Sequence, residues 1–109
     1  MISIKIQRKD KSYAGVEIFG HSNYDESGKD IICSAVSILS YTLINSLNSI
    51  GKIDEKYIDI EENETEGLLV VKLTKQNKTT NLLFENFLVG IKLLLEDYSD
   101  YITLKNEEV

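Results

Sequence analysis

Apolar and polar residues alternate strictly at the start of the chain. In "MISIKIQ" every second residue is isoleucine, which is the period of a strand with one buried face. The polar segment "RKDKS" follows, and "YAGVEIF" then places Val16 and Ile18 on one side. The two apolar segments therefore predict a β-hairpin that ends at Gly20.

A spacing of three and four residues replaces this alternation between Ile31 and Ile50. The apolar positions with this spacing are Ile31, Ala35, Ile38, Leu39, Leu43, Leu47 and Ile50. They predict a helix with one apolar stripe, for which Asp30 is the expected N-cap and Gly51 the expected stop. Cys33 then lies in the first helical turn.

The second half of the chain repeats this order of elements. "YIDIEE" and "GLLVVKL" flank the turn "NETE" and predict a second hairpin. A helical stripe runs from Phe84 to Tyr98, and "YITLK" is a final short strand. The order β-β-α-β-β-α-β predicts a single α+β domain over residues 1–109. In this fold, two helices pack on one face of a mostly antiparallel sheet.

Composition limits the setting of this domain. Apolar residues make up 42% and charged residues 28% of the chain, and no uninterrupted apolar run approaches the roughly 18 residues of a membrane span. One cysteine excludes an internal disulfide, so we expect a cytoplasmic protein without membrane contact. The net charge of -6 argues against direct nucleic-acid binding and favours a basic protein partner.

The only histidine and the only cysteine lie close together in "GHSNYDESGKDIICSAVS". A helix N-terminus favours the thiolate of Cys33, and His21 within reach would complete the thiolate–imidazolium pair of cysteine acyl-transfer enzymes. The N–H groups of the same turn would stabilise an oxyanion. The negative charges of Asp25, Glu26 and Asp30 oppose the thiolate if they lie close to it.

Simpler interpretations of the pair remain open. A lone cysteine beside an apolar helix face is usually a small buried hydrophobe, and a lone histidine after a strand is usually polar surface. A zinc site is less favoured because the chain has no paired cysteine motif. We expect no metal and no cofactor. A thiol redox sensor would need only Cys33.

The segments "GHS" and "GKDIICSAVS" resemble the motif of the ribosomal-processing cysteine protease family (Prp) of Firmicutes and related bacteria. The resemblance implies that Cys33 is the nucleophile and His21 its base. The motif positions that it marks as supporting are Gly20, Asp30, Ser34 and Ser37. Ser34 departs mildly from the motif, because alanine is common at that position.

The resemblance also implies a substrate and an assembly. Members of this family cleave a short N-terminal extension from large-subunit ribosomal protein twenty-seven, a basic precursor, and form homodimers. A non-catalytic ribosome-assembly binding module and a thiol redox sensor remain the alternatives. We expect the segment Ser22 to Lys29 to be mobile without substrate, with Gly28 as its hinge, and to close over a bound peptide.

Overall fold

The alternating N-terminal segment forms the predicted hairpin. In the computed structural model, which describes residues 1–25 and 30–109, strand β1 spans Ile2–Lys9 and strand β2 spans Ser12–Phe19. The two strands pair antiparallel, with a shift of register between Gln7 and Arg8. The alternating isoleucines of β1 are almost completely buried, so the period of two does mark the core face of the sheet.

Three more strands complete one sheet. Strand β3 spans Ile58–Asn63, β4 spans Leu68–Leu73 and β5 spans Ile102–Glu108. The strands lie in the order β3-β4-β2-β1-β5. All neighbouring strands are antiparallel except β1 and β5, which are parallel. The predicted α+β fold with a mostly antiparallel sheet is confirmed.

Helix α1 spans Ile31–Ser49 and helix α2 spans Lys78–Tyr98. Helix α2 begins before its apolar stripe, because Asn77 and Thr80 form a capping box. The Asn77 side chain accepts from the Thr80 N–H at 2.8 Å, and the Thr80 hydroxyl accepts from the Asn77 N–H at 2.9 Å. These bonds satisfy two backbone donors at the helix start and fix its first turn.

The buried face of α1 is rotated from the predicted stripe. The buried residues of this helix are Ile32, Val36, Ser40, Leu43 and Leu47. Ile31, Ile38 and Ile50 are exposed, Ile38 by 66%. The stripe prediction was therefore wrong for these three positions. Apolar residues surround most of α1, so their spacing does not identify one face of it.

Helix α1 differs from the expectation that no segment of the chain is long and apolar enough to span a membrane. By length and composition alone, its 19 residues, with a mean hydropathy of 1.4, are sufficient to cross a membrane. The polar residues of this helix are serines, a threonine and asparagines. Because they carry no charge, they lower the mean hydropathy less than charged residues would. In this fold its buried face belongs to the same core as the sheet and α2.

Candidate active site

Two glycines bring the end of β2 against the turn between β3 and β4. Gly20 has a φ of +99°, and a Cβ atom there would lie 2.4 Å from the carbonyl oxygen of Met1. Gly67 has a φ of +67°, and its Cβ would lie 2.3 Å from the carbonyl oxygen of Gly20. The Gly20 N–H donates to the Gly67 carbonyl at 3.2 Å. This close approach of the two backbones fixes the position of His21, which follows Gly20 in the chain.

His21 and Cys33 meet at one cavity. His21 is exposed and its Nε2 atom lies 3.1 Å from the carbonyl oxygen of Thr65, in the β3–β4 turn. Cys33 is half-buried in the first turn of α1. Both side chains line a cavity of about 250 Å³ and a neighbouring one of about 560 Å³. This arrangement is consistent with the sequence prediction, in which the fold brings His21 and Cys33 together.

Asp30 caps helix α1, as the sequence predicts. Its Oδ1 atom accepts from the N–H groups of Ile32 at 3.0 Å and Cys33 at 3.1 Å. Its own carbonyl accepts from the Ser34 N–H at 3.1 Å. These three donors of the first turn are therefore committed to Asp30. The expectation that they form an oxyanion hole does not agree with this pattern of bonds.

The second oxygen of Asp30 ties down the segment after His21. Oδ2 accepts from the Ser22 hydroxyl, from the Tyr24 N–H at 3.0 Å and from the Asp25 N–H at 3.3 Å. Burial raises the pKa of Asp30, but hydrogen bonds from the Ser22 hydroxyl and from backbone N–H groups, including that of Cys33, outweigh it. The pKa falls from 3.8 to about 2. Asp30 is therefore a buried carboxylate ion at neutral pH.

Ser22 links this carboxylate to the cysteine. It is 3% exposed, and its hydroxyl oxygen lies 3.3 Å from Cys33 Sγ. An ionised carboxylate only accepts hydrogen bonds, so the single hydroxyl hydrogen of Ser22 points to Asp30. The thiol of Cys33 is then the donor to Ser22. From the sequence, Ser22 is expected only as the first residue of a mobile segment, and its proximity to both groups was not predicted.

Aromatic contacts hold part of the segment between His21 and Cys33. The Tyr24 ring packs edge-on against Tyr98 at 5.7 Å and against Tyr101 at 5.2 Å between ring centroids. Side-chain packing in this segment is therefore greater than its polar sequence suggests. The expectations for Glu26 and for Gly28 as a hinge concern positions that lie outside the described residues.

The smaller cavity has an apolar floor and an acidic rim. Its apolar lining residues are Ile2, Ile18, Val36, Leu68 and Leu69. Tyr41, Glu62 and Glu64 also line it. Burial raises the pKa of Tyr41, and Glu62 and Glu64 raise it further through their charge. The cavity therefore combines room for an apolar side chain with negative charge at the rim.

The remaining motif residues also reach this region. Ser37 lines both cavities and is exposed, one turn of α1 beyond Cys33. Ser34 is exposed and lines the larger cavity with Asp30. Within residues 1–25 and 30–109, no three His, Cys, Asp or Glu side chains cluster in a way that would hold a metal ion.

Residues 1–103 of the chain match the family described as "Cysteine protease Prp". The chain belongs to the Prp family of cysteine proteases. A Bacillus subtilis relative named "Ribosomal processing cysteine protease Prp" is 26% identical over an alignment of 106 residues, and the match covers 92% of this chain and 92% of the relative. Prp is therefore the family expected from the "GHS" and "GKDIICSAVS" segments, and that resemblance is confirmed.

Solved structures agree with this assignment to Prp. A crystal structure from Streptococcus mutans is 31% identical, with a TM-score of 0.84, and the match covers 100% of this chain and 96% of that one. A Prp structure from Staphylococcus aureus with a covalently linked product peptide has a TM-score of 0.84 at 24% identity. That match covers 98% of this chain and 100% of the other. The α+β fold described above is the Prp fold.

Proposed function

We propose that this protease removes the N-terminal extension of large-subunit ribosomal protein twenty-seven in the cytoplasm, with residues 1–109 acting as one protease domain. Cys33 is the nucleophile and His21 is its base. The observation that carries this proposal is that the only thiol and the only imidazole of the chain line the same cavity. Relatives named as ribosomal processing proteases support the choice of substrate.

The proposed reaction follows from these two groups. The thiol proton of Cys33 passes to His21 as the sulfur attacks the scissile carbonyl. The C–N bond then breaks, His21 returns the proton to the leaving amine, and the N-terminal fragment stays on Cys33 as a thioester. Water attacks the thioester while His21 takes its proton, and Cys33 recovers a proton as the carboxylic acid leaves.

The supporting residues act on the position of these groups and of the peptide. Asp30 caps α1 and anchors Ser22, which contacts the Cys33 sulfur. Gly20 lets the chain approach closely enough to place His21. The exposed hydroxyls of Ser34 and Ser37 line the larger cavity, where they would hydrogen-bond the substrate backbone.

The acidic rim suits a basic substrate. Glu62 and Glu64 line the cavity that contains Cys33 and His21, and the chain has a net charge of -6. Negative charge around a cleft raises the local concentration of a positively charged partner. The Staphylococcus aureus protein is solved with a substrate peptide and with a covalently linked product peptide, which supports a peptide substrate and a covalent step.

We propose a homodimer, as the resemblance implies. Exposed apolar side chains on the two helices offer a surface for it, and they include Ile38, Leu82, Val89 and Leu93. Large exposed apolar areas usually mark interfaces. A dimer mass by light scattering is expected, and a monomer mass at tens of micromolar would contradict the proposal.

The experiment that tests the proposed function uses the precursor ribosomal protein from the same genome. We expect wild-type enzyme to shorten it at its N-terminus, seen as one new intact mass, and Cys33→Ala to leave it uncut while still binding it. A binding module would bind the precursor and leave it full-length with both proteins. If the same genome encodes this ribosomal protein without an N-terminal extension, the substrate assignment fails.

A further inference from the structure

The imidazole of His21 faces a main-chain acceptor. Its Nε2 atom lies 3.1 Å from the carbonyl oxygen of Thr65. A carbonyl oxygen accepts hydrogen bonds and cannot donate them, so this contact requires a hydrogen on Nε2. In the neutral ring, Nδ1 then keeps its lone pair and is the basic nitrogen.

The Thr65 carbonyl belongs to a turn that is tied at several points. The Gly67 N–H donates to the Glu64 carbonyl at 3.2 Å, and the Glu66 N–H donates to the Asn63 side chain at 3.2 Å. The Gly67 carbonyl accepts from the N–H of Gly20, the residue before His21. Two bonds within the turn therefore close it around Thr65, and one backbone bond joins it to the residue before the base.

Gly67 allows the turn to come this close. A Cβ atom there would lie 2.3 Å from the Gly20 carbonyl oxygen and 3.1 Å from His21 Cε1. The φ of +67° at Gly67 is in the left-handed region, which disfavours other residues. A side chain at this position would push the turn away from the imidazole, and the Nε2 to Thr65 distance would lengthen.

We propose that the β3–β4 turn is the positioning element of the catalytic base. The Thr65 carbonyl holds Nε2–H, Gly67 sets the distance, and Nδ1 is the atom that exchanges the proton with Cys33. A carboxylate or amide side chain fills this role in triad proteases. The inference rests on the proposed function, because it assumes that His21 is the base.

The test reads the ring directly by NMR. His21 is the only histidine, so ¹⁵N-labelled protein gives one pair of imidazole nitrogen signals. We use Cys33→Ala, which removes the competing thiol, at a pH where titration shows the ring to be neutral. We expect Nε2 to carry the hydrogen, Nδ1 to be bare, and the Nε2 proton to be visible because the hydrogen bond slows its exchange with water.

Two variants of the turn test the role of Gly67 in the same background. Gly67→Ala should lose the visible Nε2 proton and move the ring signals toward those of the urea-unfolded chain. Glu66→Ala changes an exposed residue of the same turn and should keep the signals. With Cys33 restored, Gly67→Ala should lower kcat about tenfold or more, with KM changed far less, since misplacing a base by about 1 Å is costly.

The outcomes are separable. A hydrogen on Nδ1, or ring signals equal to those of the urea-unfolded chain, would overturn the inference even if Gly67→Ala fails to fold. An unchanged Nε2 proton in a folded Gly67→Ala would overturn the role of Gly67. The ring signals are read without substrate, so they do not depend on the dyad. Cleavage retained by His21→Ala would instead overturn the proposed function.

Discussion

The hydroxyl oxygen of Ser22 lies 3.3 Å from the sulfur of Cys33. The same hydroxyl donates to Asp30, the N-cap of the helix that carries Cys33. One buried serine, next in sequence to His21, therefore connects the cap of α1 with the thiol. We expect the orientation of the Cys33 side chain to depend on this contact as well as on its helical position.

Ser22→Ala tests that dependence. The substitution leaves the Cys33 thiol without its acceptor and removes one donor from Asp30, so we expect kcat/KM to fall about tenfold, or roughly 1.4 kcal/mol. Ser49→Ala, at the exposed far end of α1, is the control and should cleave like wild type. Equal cleavage by Ser22→Ala and wild type would show that the contact does not matter.

The lowered pKa of Asp30 predicts a pH-dependent contribution to stability. Because its folded pKa is about 2 and its ordinary value is 3.8, the contribution is complete above about pH 4. It is lost as the pH falls through the folded pKa. Urea unfolding of wild type and Asp30→Ala should differ by about 1–2 kcal/mol at pH 6. This difference should shrink from about pH 4 downward, and a difference that is constant with pH would contradict the assignment.

Gly20 and Gly90 form a matched pair of glycine-to-alanine changes. Gly20→Ala combines a φ of +99° with a clash against the Met1 carbonyl, so we expect a loss of about 1–3 kcal/mol in the free energy of unfolding. At Gly90 the new Cβ meets only the flexible end of Leu39, and alanine favours the helix by about 1 kcal/mol. Thermal unfolding should show a much smaller change for Gly90→Ala, and equal losses would argue against strain at Gly20.

The acidic rim predicts a salt-dependent reaction. With a basic precursor, kcat/KM should fall several-fold as ionic strength rises from about 0.01 M to about 0.15 M, because salt shortens the range of charge interactions. Glu64→Gln, at the cavity, should flatten this dependence. Glu107→Gln, on β5 at the opposite edge of the sheet, should leave it unchanged. If kcat/KM depended on ionic strength equally in both variants, the acidic rim would not steer the substrate.

The sequence predicts the elements of this fold well because their signals are local. The alternation in β1 and the cap at Asp30 depend on neighbouring residues, and both are found where expected. The prediction of the buried face of α1 was wrong in part, because apolar residues lie on several sides of this helix and do not form a single stripe. The first turns of α2 were missed because their capping box precedes the apolar residues.

The contacts around the candidate site are less predictable because they join distant segments. Thr65 reaches His21 from 44 positions away, through the pairing of β4 with β2. Gly67, which follows "NETE", is the one local signal of a tight turn, and nothing in the sequence indicates that this turn contacts His21. Ser22 stands beside His21 in the sequence, but its link to Cys33 requires α1 to begin at its side.

A single-turnover experiment tests Cys33 as the nucleophile most directly. Enzyme in excess over precursor is quenched in acid, and the intact mass of the protein is measured. We expect wild type to carry the N-terminal fragment as a thioester, with the mass of the fragment acid less one water, and Cys33→Ala to give neither adduct nor product. Cleavage by purified Cys33→Ala above about one part in a thousand of the wild-type rate would contradict the assignment of Cys33 as nucleophile.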